Sequence, residues 1–201
     1  MIANSMSTSR RTRFASAAAL LAVVAAGSTL AAPAASAAPV SRALVLSQAQ
    51  FPAGSVDYRT GRLNGEAVTI KNTAPQPCKD AANRLNGATA NAQSVAASAR
   101  NGYSFMTTGV ISPAQGALWR GMAQACSGRN SELAVPGDLT RYNPTVITYG
   151  EGERAGAIEG AADVKGYTVN VYVRGLSETP ANTARFWQVL RAQIQKVEAA
   201  R

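Results

Sequence analysis

The chain has 201 residues, 46% of them hydrophobic, with 20 Lys and Arg against 11 Asp and Glu for a formal net charge of +9, two cysteines and no histidine. The missing imidazole excludes Ser–His and Cys–His nucleophile pairs, histidine general bases and nearly all zinc chemistry. The basic residues are scattered singly, which makes nucleic acid a poor partner.

Residues 1–37 read as an export signal: Arg10, Arg11 and Arg13 form a basic start, Ala15 to Leu30 an apolar run, and Ala35-Ser36-Ala37 a small-residue cleavage site. Phe14 lies one place later than a twin-arginine signal prefers, so general secretion is the favoured route. An uncleaved anchor is the alternative, but the run is short and alanine-heavy. No cysteine follows it that could carry a lipid. Cleavage near Ala38 leaves 201 minus 37, or 164, residues, with 17 basic and 11 acidic side chains and a net charge of +6. That length suits one secreted domain, residues 38–201, which buries roughly 70% of its unfolded surface. The charge favours anionic material outside the cell, such as wall polymers, lipid head groups or phosphorylated glycans. Scattered arginines also simply solvate a surface. In an oxidising compartment Cys78 and Cys126 are expected to form a disulfide.

In chain order, Leu44-Val45-Leu46 is a short apolar run. Ser47 with Gln50 suggests a capped turn closed by Pro52 and Gly54. Val56 to Arg62 and Ala67 to Lys71 can pair as strands around Leu63-Asn64-Gly65-Glu66. Thr73 to Pro77 reads as a linker, and Cys78 to Leu85 as a short helix halted by Asn86-Gly87. A second hairpin joins Gln93 to Arg100 and Tyr103 to Ile111 around Asn101-Gly102. It places Val95, Ala97 and Ala99 on one face with Ser104, Met106 and Thr108. The alanines also permit a helix over Ala88 to Ser98.

Ser112 to Cys126 is the fullest helix signal: Ser112 as N-cap, Pro113 in the first turn, Gln115 closing a capping box, and Gly128 as the stop. Leu118, Met122 and Ala125 give the apolar stripe, widened by Trp119 and Cys126. Pro136-Gly137-Asp138 and Asn143-Pro144 read as turns and Thr145 to Tyr149 as a strand. A hairpin on Lys165-Gly166 sorts Tyr167, Val169, Val171, Val173, Val164, Ala162 and Ile158 to one face. The other face collects Thr168, Asn170, Tyr172, Arg174, Asp163 and Glu159. Thr179 and Pro180 open a last helix with Phe186, Leu190, Ile194 and Val197 on one stripe.

Few motifs carry chemistry. Gly150-Glu151-Gly152-Glu153-Arg154-Ala155 matches G-x-G-x-x-A, but two glutamates repel a pyrophosphate and a strand pattern follows, so it reads as a glycine-rich turn. Paired acids for glycoside hydrolysis are available among Glu132, Asp138, Glu151, Glu153, Glu159 and Asp163. Trp119-Arg120 and Arg185-Phe186-Trp187 lie at helical spacing and read as packing rather than as stacking platforms.

Phe51-Pro52-Ala53-Gly54 after a helical turn, Cys78 opening a helix, Cys126 closing one and Pro136-Gly137-Asp138 before the last hairpin give the chain a likeness. Over residues 43 to 197 it resembles the extracellular sensor domains of mycobacterial PknH-type kinases and their secreted actinobacterial relatives. That resemblance implies an antiparallel sheet flanked by helices, a cleft for an unidentified ligand and no catalysis. Unlike the kinase domains, the chain has one cysteine pair rather than two.

The expectation is therefore one α+β domain with an antiparallel sheet of about five or six strands, one disulfide, and the capped and C-terminal helices together on the apolar face. Functionally it is a secreted, non-catalytic, monomeric domain. It needs no cofactor or metal, has no membrane span after signal removal, and binds a small-molecule or anionic envelope ligand in a sensor-like role. A structural or adhesive envelope protein and an acid-pair hydrolase are the alternatives. The expected ligand site is the polar face of the last hairpin, Glu159, Asn170, Tyr172 and Arg174, with Arg174 holding an anion and Glu159 orienting or neutralising its guanidinium.

Overall fold

The computed structural model describes residues 39–63, 73–126, 133–150 and 155–200. Its elements are strand β1 (Val56–Gly61), helix α1 (Gln76–Asn91), strands β2 (Gln93–Asn101) and β3 (Ser104–Ser112), helix α2 (Gly116–Ala125), strands β4 (Thr145–Tyr149), β5 (Ala157–Val164) and β6 (Tyr167–Gly175), and helix α3 (Thr183–Ala199). Short 3-10 turns cover Arg42–Leu44, Gln48–Gln50 and Gly137–Tyr142. The strands form one six-stranded antiparallel sheet in the order β1-β2-β3-β6-β5-β4. The fold is thus α+β, as the run of hairpins implies.

The β5–β6 hairpin follows its alternation. Lys165 and Gly166 form the turn with φ of 49° and 81°, the left-handed pair that a two-residue hairpin needs. Val164 then faces Tyr167, and Ile158 faces Val173. Val169, Val171 and Val173 are fully buried on this inner face, each worth roughly 1.5–3 kcal/mol on removal from water. Helix α3 lies across them with Phe186, Leu190, Ile194 and Val197, joined by Leu44, Val45, Leu46 and Phe51. Gly160 makes the close approach possible: a Cβ there would sit 2.6 Å from the Phe186 ring.

The N-terminal segment is fastened to this layer by one buried polar side chain. Gln193 of α3 accepts from Leu46 N at 3.1 Å and from Thr108 Oγ1 at 3.0 Å, and donates to Leu44 O at 2.6 Å. Gln193→Leu leaves two buried polar groups unpaired, Leu46 N–H and Leu44 O, while Thr108 Oγ1 keeps its 3.4 Å bond to Asn170 O. The substitution is expected to lower the unfolding free energy by about 2 kcal/mol in urea melts.

The opposite, outer face of the sheet is also covered, which differs from the expected placement of both helices on the apolar face. Helix α2 packs on the outer side, with Trp119, Met122 and Ala123 against Ile147 of β4 and Ala161 of β5. Helix α1 backs it through Ala81, Ala82 and Leu85. The inner face is already filled by α3 and the N-terminal run, and Ile147 and Ala161 give Trp119 apolar ground on the other side. Cys78, in the first turn of α1, is bonded to Cys126 at the end of α2 with their Cα atoms 4.5 Å apart.

Several boundaries move for identifiable reasons. Ser112 is not a helix cap: it ends β3, paired with Gln93, and α2 begins at Gly116 after a cis Ser112–Pro113 bond. Asp163 of β5 takes over the capping by accepting from Gly116 N at 2.9 Å. Helix α1 does not stop at Asn86-Gly87 but runs to Asn91, because Leu85 and Thr89 continue its buried stripe. Ala88 thus belongs to α1, while Gln93 to Ser98 belong to β2.

The turn of the β2–β3 hairpin is Gly102-Tyr103 rather than Asn101-Gly102, since Asn101 pairs with Ser104. The expected face partners are kept. Asn101 is held in the strand by its Nδ2, which donates to Ala53 O at 2.8 Å. Helix α3 starts at Thr183, where Asn182 accepts from Arg185 N at 2.9 Å, three residues later than Thr179-Pro180 suggested. The Ser47–Gln50 turn is present, with Gln50 Oε1 accepting from Ser47 N at 3.0 Å. The export signal, the second strand at Ala67 to Lys71, the Gly128 stop and Glu151 to Arg154 lie outside the described residues. Among the described residues no helix is long and apolar enough to cross a membrane.

Candidate functional site

The strand registers place the outer face in two cross-strand rows. One runs Arg59, Ser98, Thr107, Tyr172, Glu159, Ile147; the next runs Arg100, Phe105, Arg174, Ala157, Tyr149. Helix α2 covers the β4–β5 end. Toward β6 and β3 the described cover is Leu63, packed where a Cβ on Gly109 would sit, and burial falls off along the face: Glu159 and Asn170 are buried, Tyr172, Thr107 and Phe105 are partly exposed and Arg174 is exposed. The four expected site residues therefore form a graded surface, from a dry polar floor to an open cationic edge.

Glu159 does not engage Arg174. Its Oε2 accepts from Tyr149 Oη at 2.5 Å and its Oε1 from Asn170 Nδ2 at 3.0 Å. Register puts both Asn170 and Arg174 diagonal to Glu159 on β6, and Tyr149 diagonal to it on β4; the hydrogen bonds go to Asn170 and Tyr149. Burial pushes the carboxyl up from its ordinary 4.5 to about 7, against the lowering effect of its two hydrogen bonds. The Arg174 guanidinium instead lies over the Phe105 ring, 5.9 Å from its centroid. Tyr172 stands edge to face with Tyr149 at 6.4 Å, and burial raises the pKa of its hydroxyl.

Tyr149, Phe105 and Thr107 thus join the site without having been expected. Tyr149 was within reach of the sequence, had the strand at Thr145 to Tyr149 been folded back on Ala157 to Val164 through the glycine-rich turn. Phe105 and Thr107 arrive through β3–β6 pairing with Arg174 and Tyr172, each more than sixty residues away, which leaves no local signal.

A second polar knot on the same face is structural. Thr168 Oγ1 accepts from Gln115 N at 2.6 Å and donates to Asp163, while Gln115 Oε1 accepts from Thr89 Oγ1 at 3.0 Å. These bonds tie α1, α2 and the β5–β6 hairpin together and leave little capacity for a ligand. Trp119, Phe186 and Trp187 are buried in the two cores, as their helical spacing implied. Among the described residues no three His, Cys, Asp or Glu side chains gather as metal ligands.

Two surface grooves lie elsewhere. One of about 400 Å³ runs along Asp138, Tyr142 and Arg191, and one of about 1230 Å³ lies between Leu44, Lys165, Tyr167 and Lys196. No family model, curated protein or solved structure matches the chain.

Proposed function

We propose that the protein is an exported, non-catalytic binding domain that holds a small polar ligand with an anionic group on the open half of its outer sheet face, in a sensor-like role. The observation that carries this reading is Arg174. It is an exposed guanidinium with no carboxylate partner among the described residues, held over an aromatic ring beside the half-buried Tyr172 and a buried polar floor. Such a fork is suited to a carboxylate or phosphate. The disulfide and the leader-like residues 1–37 support export. The likeness to PknH-type sensor domains supports a ligand-responsive role.

The scattered arginines favour a second reading, an adhesive envelope protein, which differs in being polyvalent and salt-sensitive. For an acid-pair hydrolase, Glu159 and Asp163 sit four residues apart on one strand, about 13 Å along it, wider than either glycosidase geometry.

The test is calorimetric titration of the exported chain with glycerol 3-phosphate and with L-alanine. One of them is expected to bind saturably at physiological ionic strength, and Arg174→Ala to abolish that binding while changing stability by less than about 1 kcal/mol. Unchanged affinity in Arg174→Ala would reject the site.

A further inference from the structure

Glu159 is the only buried carboxylate among the described residues, and none of the described cations pairs with it. Both of its oxygens are solvated, by Tyr149 and Asn170, but neither donor brings a positive charge. The groups facing it among the described residues are Tyr149 on β4 and Asn170, Tyr172 and Arg174 on β6; Trp119 and Met122, which α2 packs on this face, are neutral. The Tyr149 and Tyr172 rings stand beside it with centroids 6.4 Å apart. A nearby cation would favour the ionised form of this carboxyl, and the partly exposed Tyr172 ring beside it adds the attraction of its quadrupole. Arg174 stands diagonal to Glu159 across the β5–β6 pair, a Cα separation of roughly 7 Å. The same small area therefore offers one anionic and one cationic anchor.

Resting on the binding reading above, we propose that the ligand of this face is a compact zwitterion. Its ammonium lies toward Glu159 beside the partly exposed Tyr172 ring, and its carboxylate or phosphate, a few bonds away, lies on Arg174. The ligand supplies the counter-charge that no described residue gives Glu159. Its arrival ionises Glu159, which burial otherwise holds protonated below about pH 7, so binding at pH 6 releases a proton from the Glu159 carboxyl.

The experiment titrates the exported chain with L-alanine and O-phosphoethanolamine, each beside its N-acetyl derivative, in two buffers of different ionisation enthalpy. The two zwitterions separate a carboxylate from a phosphate source of the anion. The expected result is saturable binding of one zwitterion, at least tenfold weaker binding of its N-acetyl form, and proton release at pH 6. Glu159→Gln is expected to lose both the discrimination and the proton release. If that variant fails to fold, the excess proton release of the zwitterion over its N-acetyl form, which carries the same anionic group, decides. Equal affinity for a zwitterion and its N-acetyl form, lost in Arg174→Ala, would overturn the zwitterion and leave the anion site standing. Binding of none of the four at millimolar concentration would overturn both.

Discussion

Removing the Cys78–Cys126 bond is expected to lower the unfolding free energy by about 4 kcal/mol, the chain-entropy value for a loop of 48 residues. A domain of this size has only about 5–15 kcal/mol in hand, so the reduced protein is left marginal. The loss is not spread evenly. Helices α1 and α2 meet through small side chains, Ala81, Ala82 and Ala123 around Leu85, Trp119 and Met122, whereas α3 lies on a wall of valines. In a Cys78→Ser, Cys126→Ser variant, hydrogen exchange should therefore quicken first in α1 and α2 while the α3 amides stay protected. Urea melts check the magnitude. A loss below about 1 kcal/mol would mean that packing alone holds the helical pair on the sheet.

The second large effect is a dependence of stability on pH centred on Glu159. Its carboxyl is raised in the folded chain from 4.5 to about 7, so the folded state binds the proton more tightly than the unfolded state does. The associated stability is complete below about pH 4.5, falls as pH rises through 7 and is lost above that; at 1.36 kcal/mol per pH unit it amounts to about 3 kcal/mol. Glu159→Gln removes this titration while retaining the shape of the side chain. The difference in unfolding free energy between variant and wild type should move by about that amount, in favour of the variant, from pH 4.5 to pH 8. A difference that stays flat over this interval would show that Glu159 is ionised in the folded chain at no cost.

What could be read from the residues tracks how local each interaction is. The β5–β6 hairpin was legible because Lys165-Gly166 and the alternation on both sides point to one register. The stripe of α3 was legible for the same reason, since Phe186, Leu190, Ile194 and Val197 all reach the inner core. At Ser112 a good local cap signal lost to a strand partner, Gln93, supplied by a different segment. At Asn86-Gly87 a local stop lost to the burial of Leu85 and Thr89 against α2 and Gln115.

The candidate site divides in the same way. Glu159, Asn170, Tyr172 and Arg174 share a face because of one hairpin. The outer cover by α2, the Tyr149 hydroxyl on Glu159 and the Phe105 ring under Arg174 all come from strands and helices distant in the chain. The polar face looked open from the hairpin alone because Ile147, on a separate strand, is what draws Trp119 across it.

The most direct test of ligand binding on the outer face is a backbone amide NMR titration of the disulfide-bonded chain with L-alanine and O-phosphoethanolamine at physiological ionic strength. Saturable shifts are expected to cluster at Phe105, Thr107, Glu159, Tyr172 and Arg174 and to be absent in Arg174→Ala. Shifts that gather instead in the groove beside Lys165 and Lys196, or that spread over the surface arginines and vanish with added salt, would contradict binding on this face.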